Sequence, residues 1–87
     1  MHEASLMTDL IRKIMRIAHE QCATKVLGVY VTLGAWSHMS PDHLRMHFAQ
    51  AIQGTMVEGA RLEIDVRPET DQTLALEILL DRIEVEV

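Results

Sequence analysis

Aromatic side chains are scarce in this chain: Trp36, Tyr30 and Phe48 are its only Phe, Tyr or Trp residues, 3% of 87. Any core must therefore be aliphatic. There is one cysteine, Cys22, which excludes an internal disulfide and a cysteine-built zinc knot. No apolar run approaches the roughly 20 residues of a membrane span. Basic residues are outnumbered, eight to thirteen acidic, for a net charge of -5. That balance argues against nucleic acid or an anionic membrane as partner, since either would need a basic stripe. A basic stretch followed by an apolar one is missing from the amino terminus, so no secretion signal is expected, and the expected location is cytoplasmic. Catalytic sets are missing too: no nucleophile, base and orienter in sequence, no glycine-rich phosphate loop. An enzyme is not expected.

What remains is ordinary globular composition, 48% hydrophobic and 24% charged, in a length suited to one domain, taken as residues 1–87. From Ala4 to about Thr24, Leu6, Leu10, Ile14, Ile17 and Ala18 recur at helical spacing, widened by Met7 and Ile11, with Asp9, Arg12, Lys13, Arg16 and Glu20 opposite. His19 suits the dipole of that helix end, and Cys22 reads as a small, partly buried hydrophobe. Lys25–Ala35 reads as a strand, with Val29, Val31 and Leu33 alternating against Tyr30 and Thr32. After a loop over Trp36-Ser37-His38-Met39, Ser40-Pro41-Asp42 has the chemistry of a helix start. Leu44, Phe48, Ala51 and Ile52 give the second helix its buried stripe, and Gly54 stops it. Thr55–Ala60 is a connector. Leu62, Ile64 and Val66 alternate with Glu63, Asp65 and Arg67 in a strand closed by Pro68. Beyond a polar turn at 69–72, Leu74, Leu76, Ile78 and Leu80 keep one phase, and Ile83, Val85 and Val87 the other. The slip at Asp81-Arg82 means either one strand with a bulge or two strands joined by a tight bend. The expectation is an α+β fold: two helices on one face of a three-stranded mixed sheet, ordered helix-strand-helix-strand-strand. Strand order is open, though Lys25 to Arg67 gives a parallel pair if its two strands are neighbours.

Candidate chemistry sits at the start. A free Met1 amine, the amide nitrogen of residue 2 and the His2 imidazole can close two small chelate rings around one ion. Three nitrogens in a plane suit tetragonal Ni(II) or Cu(II) rather than tetrahedral zinc. Glu3 can add a carboxylate or orient the imidazole. The following helix begins almost at once, which tethers the triplet to a rigid element. His43 and His47, four apart on the second helix, are neighbours; with no third ligand at helical spacing they read as a solvated face. Met39, Met46 and Met56 read as core filler. Glu63, Asp65, Glu77, Glu84 and Glu86 read as wet strand faces or edge guards.

Taken together these residues resemble the HypA/HybF family of nickel-insertion proteins. The resemblance runs through Met1-His2-Glu3 and Ser5, Leu10-Ile11 and Ile14, Ala23, Lys25-Val26, Val29, Val31, Gly34 and Ser37. It continues through Pro41, Leu44, Phe48, the block from Gly54-Thr55-Met56-Val57-Glu58-Gly59-Ala60 to Ile64, Pro68, and the closing Arg82 to Glu86. It implies nickel bound by the Met1 amine, backbone amides, His2 and Glu3. It also implies a HypB-type GTPase partner and delivery to a hydrogenase large-subunit precursor, or in some organisms to urease. The chain departs from the family between Pro68 and the last strand. Members carry a zinc module there with two Cys-x-x-Cys pairs; here a short connector at 69–75 stands in its place without cysteine, so no zinc is expected. Either the chain is a naturally reduced relative or the module has been removed. Some members also place a nickel-completing carboxylate where Ser40 stands; Asp42 could substitute here, although a helix-start role suffices for it. Two functions follow. One is a metallochaperone for NiFe hydrogenase maturation; the other is an interaction or regulatory module that docks without passing metal. A short, strained connector would also favour a homodimer by exchange of the final strand.

Overall fold

Three strands form one mixed sheet in the order β2-β1-β3, with β1 central. The computed structural model describes residues 3–34, 40–66 and 78–87, the side chains of 3–5 excepted. Within it α1 spans Glu3–Glu20, β1 Lys25–Leu33, α2 Pro41–Ala51, β2 Arg61–Val66 and β3 Ile78–Glu86. The expected α+β arrangement is observed. The readings of residues 36–39 as a loop and 69–72 as a turn, and of Leu74 and Leu76 as strand, lie outside the described residues.

β1 pairs parallel with β2, from Gly28 with Arg61 to Leu33 with Val66, and antiparallel with β3, from Lys25 with Glu86 to Leu33 with Ile78. A parallel β1–β2 pair requires the crossover that α2 supplies, so α2 runs antiparallel to both strands. α1 turns straight into β1 and is likewise antiparallel to it. The amino-terminal ends of both helices thus lie toward the carboxyl end of β1.

Val29, Val31 and Leu33 of β1 are buried, as alternation predicts, and Val26 joins them. They meet Met7, Leu10, Ile14 and Ala18 of α1, and Leu44, Phe48 and Ile52 from α2 and its cap. The α1 stripe is therefore centred on Met7 rather than Leu6. Leu6 and Ile17 are half-buried, and Ala51 is exposed, because the helix axes turn those positions toward the rim. Val66 is also exposed, lying past the cover of α2.

The phase slip resolves as one strand with a bulge. Register shifts between Tyr30 and Val31, leaving Asp81 as the extra residue between partners Arg82 and Leu80. Ile78, Leu80, Ile83 and Val85 consequently all pack on the core. The Thr32 hydroxyl donates to Asp81 Oδ2 at 2.6 Å and pins the bulge. A second shift, between Val26 and Gly28, turns Leu27 outward.

α1 ends at Glu20, earlier than periodicity predicts. Cys22 has φ 57, and its N–H donates to His19 O while the Ala23 N–H donates to Ala18 O. This is a Schellman termination with cysteine where glycine is usual. Cys22 is exposed rather than partly buried, since the left-handed turn swings it out of the helix face. Thr24 then joins the sheet edge, its N–H and hydroxyl both donating to Glu86 O.

Val66 and Ile78 flank Leu33 on its two sides. The eleven residues 67–77 thus join ends about 10 Å apart, two strand spacings.

Candidate metal centre

Nickel chemistry was expected at Met1, His2 and Glu3. Met1 and His2 lie outside the described residues, and of Glu3 only the backbone is described, as the first residue of α1. The chain leaves the triplet directly into an 18-residue helix whose inner stripe is buried from Met7 onward. Any donor set at residues 1–3 would therefore adjoin α1 in sequence.

α2 supplies the other candidate ligands. Ser40 caps it, with Oγ accepting from the His43 N–H at 3.2 Å; Pro41 follows, and Asp42 lies exposed in the first turn. Ser40 therefore has a structural task at the position where the family resemblance offers a carboxylate. One turn on, His43 and His47 are half-buried, their Nε2 atoms 2.9 Å apart and ring centroids 4.5 Å apart. The sequence reading made the two side chains neighbours on a solvated face; the structure brings their nitrogens into hydrogen-bond contact. The i,i+4 spacing signalled it, but the rotamers that bring the two rings together are not written in the spacing. Among the described residues no three His, Cys, Asp or Glu side chains gather into a metal cluster.

A groove of about 560 Å³ lies between the helices, lined by Met7, Ile11 and Ala51 with Thr8, Arg12, His47 and Gln50 at its polar edge. On the far side of the sheet the carboxylates are not all free. Glu84 accepts from Arg61 Nη2 at 2.6 Å and from the Tyr30 hydroxyl at 3.2 Å. The Tyr30 hydroxyl and the Glu84 carboxylate hold the Arg61 proton more firmly than usual. No described helix is long and apolar enough to cross a membrane.

The family described as "Hydrogenase/urease nickel incorporation, metallochaperone, hypA" matches residues 1–72 of this chain. The chain belongs to the HypA family. A metallochaperone carries its ion without turnover, so HypA membership bears out the reading that this is not an enzyme. Among similar proteins, the hydrogenase maturation factor HypA of Archaeoglobus fulgidus is 41% identical over 66 residues, 76% of this chain and 60% of that protein. The hydrogenase maturation factor HybF of Salmonella typhimurium is 37% identical over 68 residues, 78% of this chain and 60% of that one. The aligned part of the chain thus spans about 60% of the length of these relatives. The solution structure of the Ni metallochaperone HypA from Helicobacter pylori shares the fold, with a TM-score of 0.82 at 22% identity, covering 99% of this chain and 98% of that one.

Proposed function

We propose that this chain is a nickel metallochaperone that takes Ni(II) at its amino terminus and passes it toward hydrogenase maturation. The Met1 amine, backbone amide and His2 imidazole form a planar nitrogen set, and Glu3 orients the imidazole or fills the fourth position. The observation that carries this reading is that α1 begins at Glu3. A rigid anchor one residue beyond His2 reduces the freedom lost when the chelate closes. The ion is cargo, so a site with an exchangeable position suits release. A HypB-type GTPase and a hydrogenase large-subunit precursor are the proposed partners, with urease as the other target class.

The test is titration of untagged protein with Ni(II). The expected result is a d–d absorption band of a planar site, abolished by His2→Ala or by residues added before Met1. Affinity falls as pH drops, because amine, amide and imidazole must all lose protons. Wild-type spectra and affinity in His2→Ala would sink the reading.

The lone cysteine favours a second reading, in which the chain docks on the GTPase but delivers no metal. Binding to the GTPase in chelator, unchanged by His2→Ala, together with failure to restore hydrogenase maturation, would select it.

A further inference from the structure

Two imidazoles that already converge on one point can share an ion. His43 Nε2 and His47 Nε2 stand 2.9 Å apart, joined by a hydrogen bond, and two nitrogens held about 2.0–2.1 Å from one ion lie about 2.9–3.4 Å apart. We propose that His43 and His47 form a bidentate site for a late divalent transition cation, Ni(II) or Cu(II), ions that imidazole ligands suit.

Three features support it. First, the helix that presents the pair is fixed at both levels. Ser40 caps the turn that carries His43, and Leu44 and Phe48, each next in sequence to one of the two histidines, are buried in the core. The chelate closes without ordering new backbone. Second, there is space for the other ligands of the ion. His47 opens on the groove between α1 and α2, where Thr8 and Gln50 provide polar edge groups. Third, two neighbouring cations are engaged elsewhere. Arg45 Nη1 donates to Leu62 O at 2.6 Å, and Arg12 pairs with Asp9 at 3.7 Å. Asp42, adjacent to His43, adds negative charge at the helix start.

In the metal-free pair one Nε2–H donates to the other ring. On binding, that ring changes tautomer, its proton passing from Nε2 to Nδ1 by way of solvent, and the ion takes its place between the nitrogens. Two protein ligands leave several positions to water, so the ion exchanges quickly, as a transfer site requires. The site needs none of the amino-terminal nitrogens and stands independently of the nickel site proposed at Met1, His2 and Glu3.

That independence sets the experiment. The full chain carrying His2→Ala and a Gly-Ser extension before Met1, which disables the amino-terminal chelate, is titrated with Ni(II) while its imidazole nitrogens are followed by NMR. One equivalent is expected to bind, broadening His43 and His47 while His19 stays sharp. His43→Gln/His47→Gln in the same background should weaken binding at least about tenfold with unchanged helical circular dichroism. If that double variant unfolds, His47→Gln alone serves, and should lose the chelate in the same way. No binding in the blocked chain, binding unaltered by the glutamine substitutions, or broadening centred on other histidines would each overturn the proposal.

Discussion

Arg61 and Glu84 meet over the central strand, Nη2 to Oε1 at 2.6 Å, directly above Gly28. Arg61 is the β2 partner of Gly28 and Glu84 its β3 partner, so one row of the sheet reads Arg-Gly-Glu. Tyr30, two residues along the same face, takes a hydrogen bond from Arg61 and donates one to Glu84, and Arg82 lies 3.9 Å above its ring. The helices cover the other face, and this polar lattice covers what they leave open. A side chain at position 28 would stand between the charges, which is a physical reason for glycine in the middle of a strand.

Gly28→Ala should test that reason. A Cβ there would lie 2.8 Å from Glu84 Oε1 and 3.2 Å from Arg61 Nη2. Both atoms end flexible side chains, so they can move aside at little cost. Alanine in a strand gains about 0.5–1 kcal/mol over glycine. Net stability by urea denaturation should therefore change by less than about 1 kcal/mol, while the Arg61–Glu84 coupling in a double-mutant cycle disappears. An undiminished coupling in the Gly28→Ala background would show that the bridge does not need the gap.

Thr32→Val should loosen the bulge. Thr32 is buried, yet its hydroxyl finds Asp81 at the one residue of β3 that lacks a β1 partner. Valine keeps the shape and the strand preference but forfeits the bond. Asp81 is exposed and can turn to water, so the loss should be no more than a net hydrogen bond, about 0.5–1.5 kcal/mol. Amide exchange over residues 79–82 should accelerate. A variant as stable as the parent, with exchange unchanged, would mean the alternation of Leu80 and Ile83 alone holds the register.

The residues that could be read in advance are those whose signal is local. Val29, Val31 and Leu33 announce their strand by alternation, Ser40-Pro41-Asp42 announces a helix start by cap chemistry, and the slip between Leu80 and Ile83 announces a break in phase, though not the choice between a bulge and a second strand. His2 is proposed as a chelator from the sequence alone, because it adjoins the terminal amine, and it lies outside the described residues. Strand order was not legible, since Gly28 chooses Arg61 and Glu84 through long-range pairing that no window contains. The open-face lattice was hidden for the same reason: Glu84 looks like any solvated carboxylate until Arg61 arrives. Cys22 was misread because a left-handed cysteine at a helix end leaves no compositional mark. His43 and His47 showed their spacing but not the rotamers that bring the nitrogens together.

Ile14→Ala and Leu44→Ala should each be severe. Both side chains are fully buried, one from each helix, in a core with almost no aromatic volume to spare. Such truncations cost about 2–5 kcal/mol, a large share of the stability of a small domain. Loss of cooperative thermal unfolding, or a fall in melting temperature of at least about 8 °C, is the expected reading. A fall of only a degree or two would indicate that the helices close over the gap.

Cys22→Gly should stabilise the protein, which makes it the most discriminating of these substitutions. The residue sits at φ 57, where any Cβ crowds the following carbonyl. The cost for an L-residue is roughly 1–2 kcal/mol, and glycine avoids it. The thiol is exposed, so little buried contact is lost. Against this, glycine raises the entropy of the unfolded chain, which takes back part of the gain. A net increase of about 0.5–1 kcal/mol follows, or at least about 2 °C in melting temperature for a domain of this size. Cys22→Val should move the other way, since a β-branched side chain fits that conformation worst. If glycine destabilised and valine did not, the turn between α1 and β1 would have to be held by the thiol rather than by the two backbone bonds from Cys22 and Ala23.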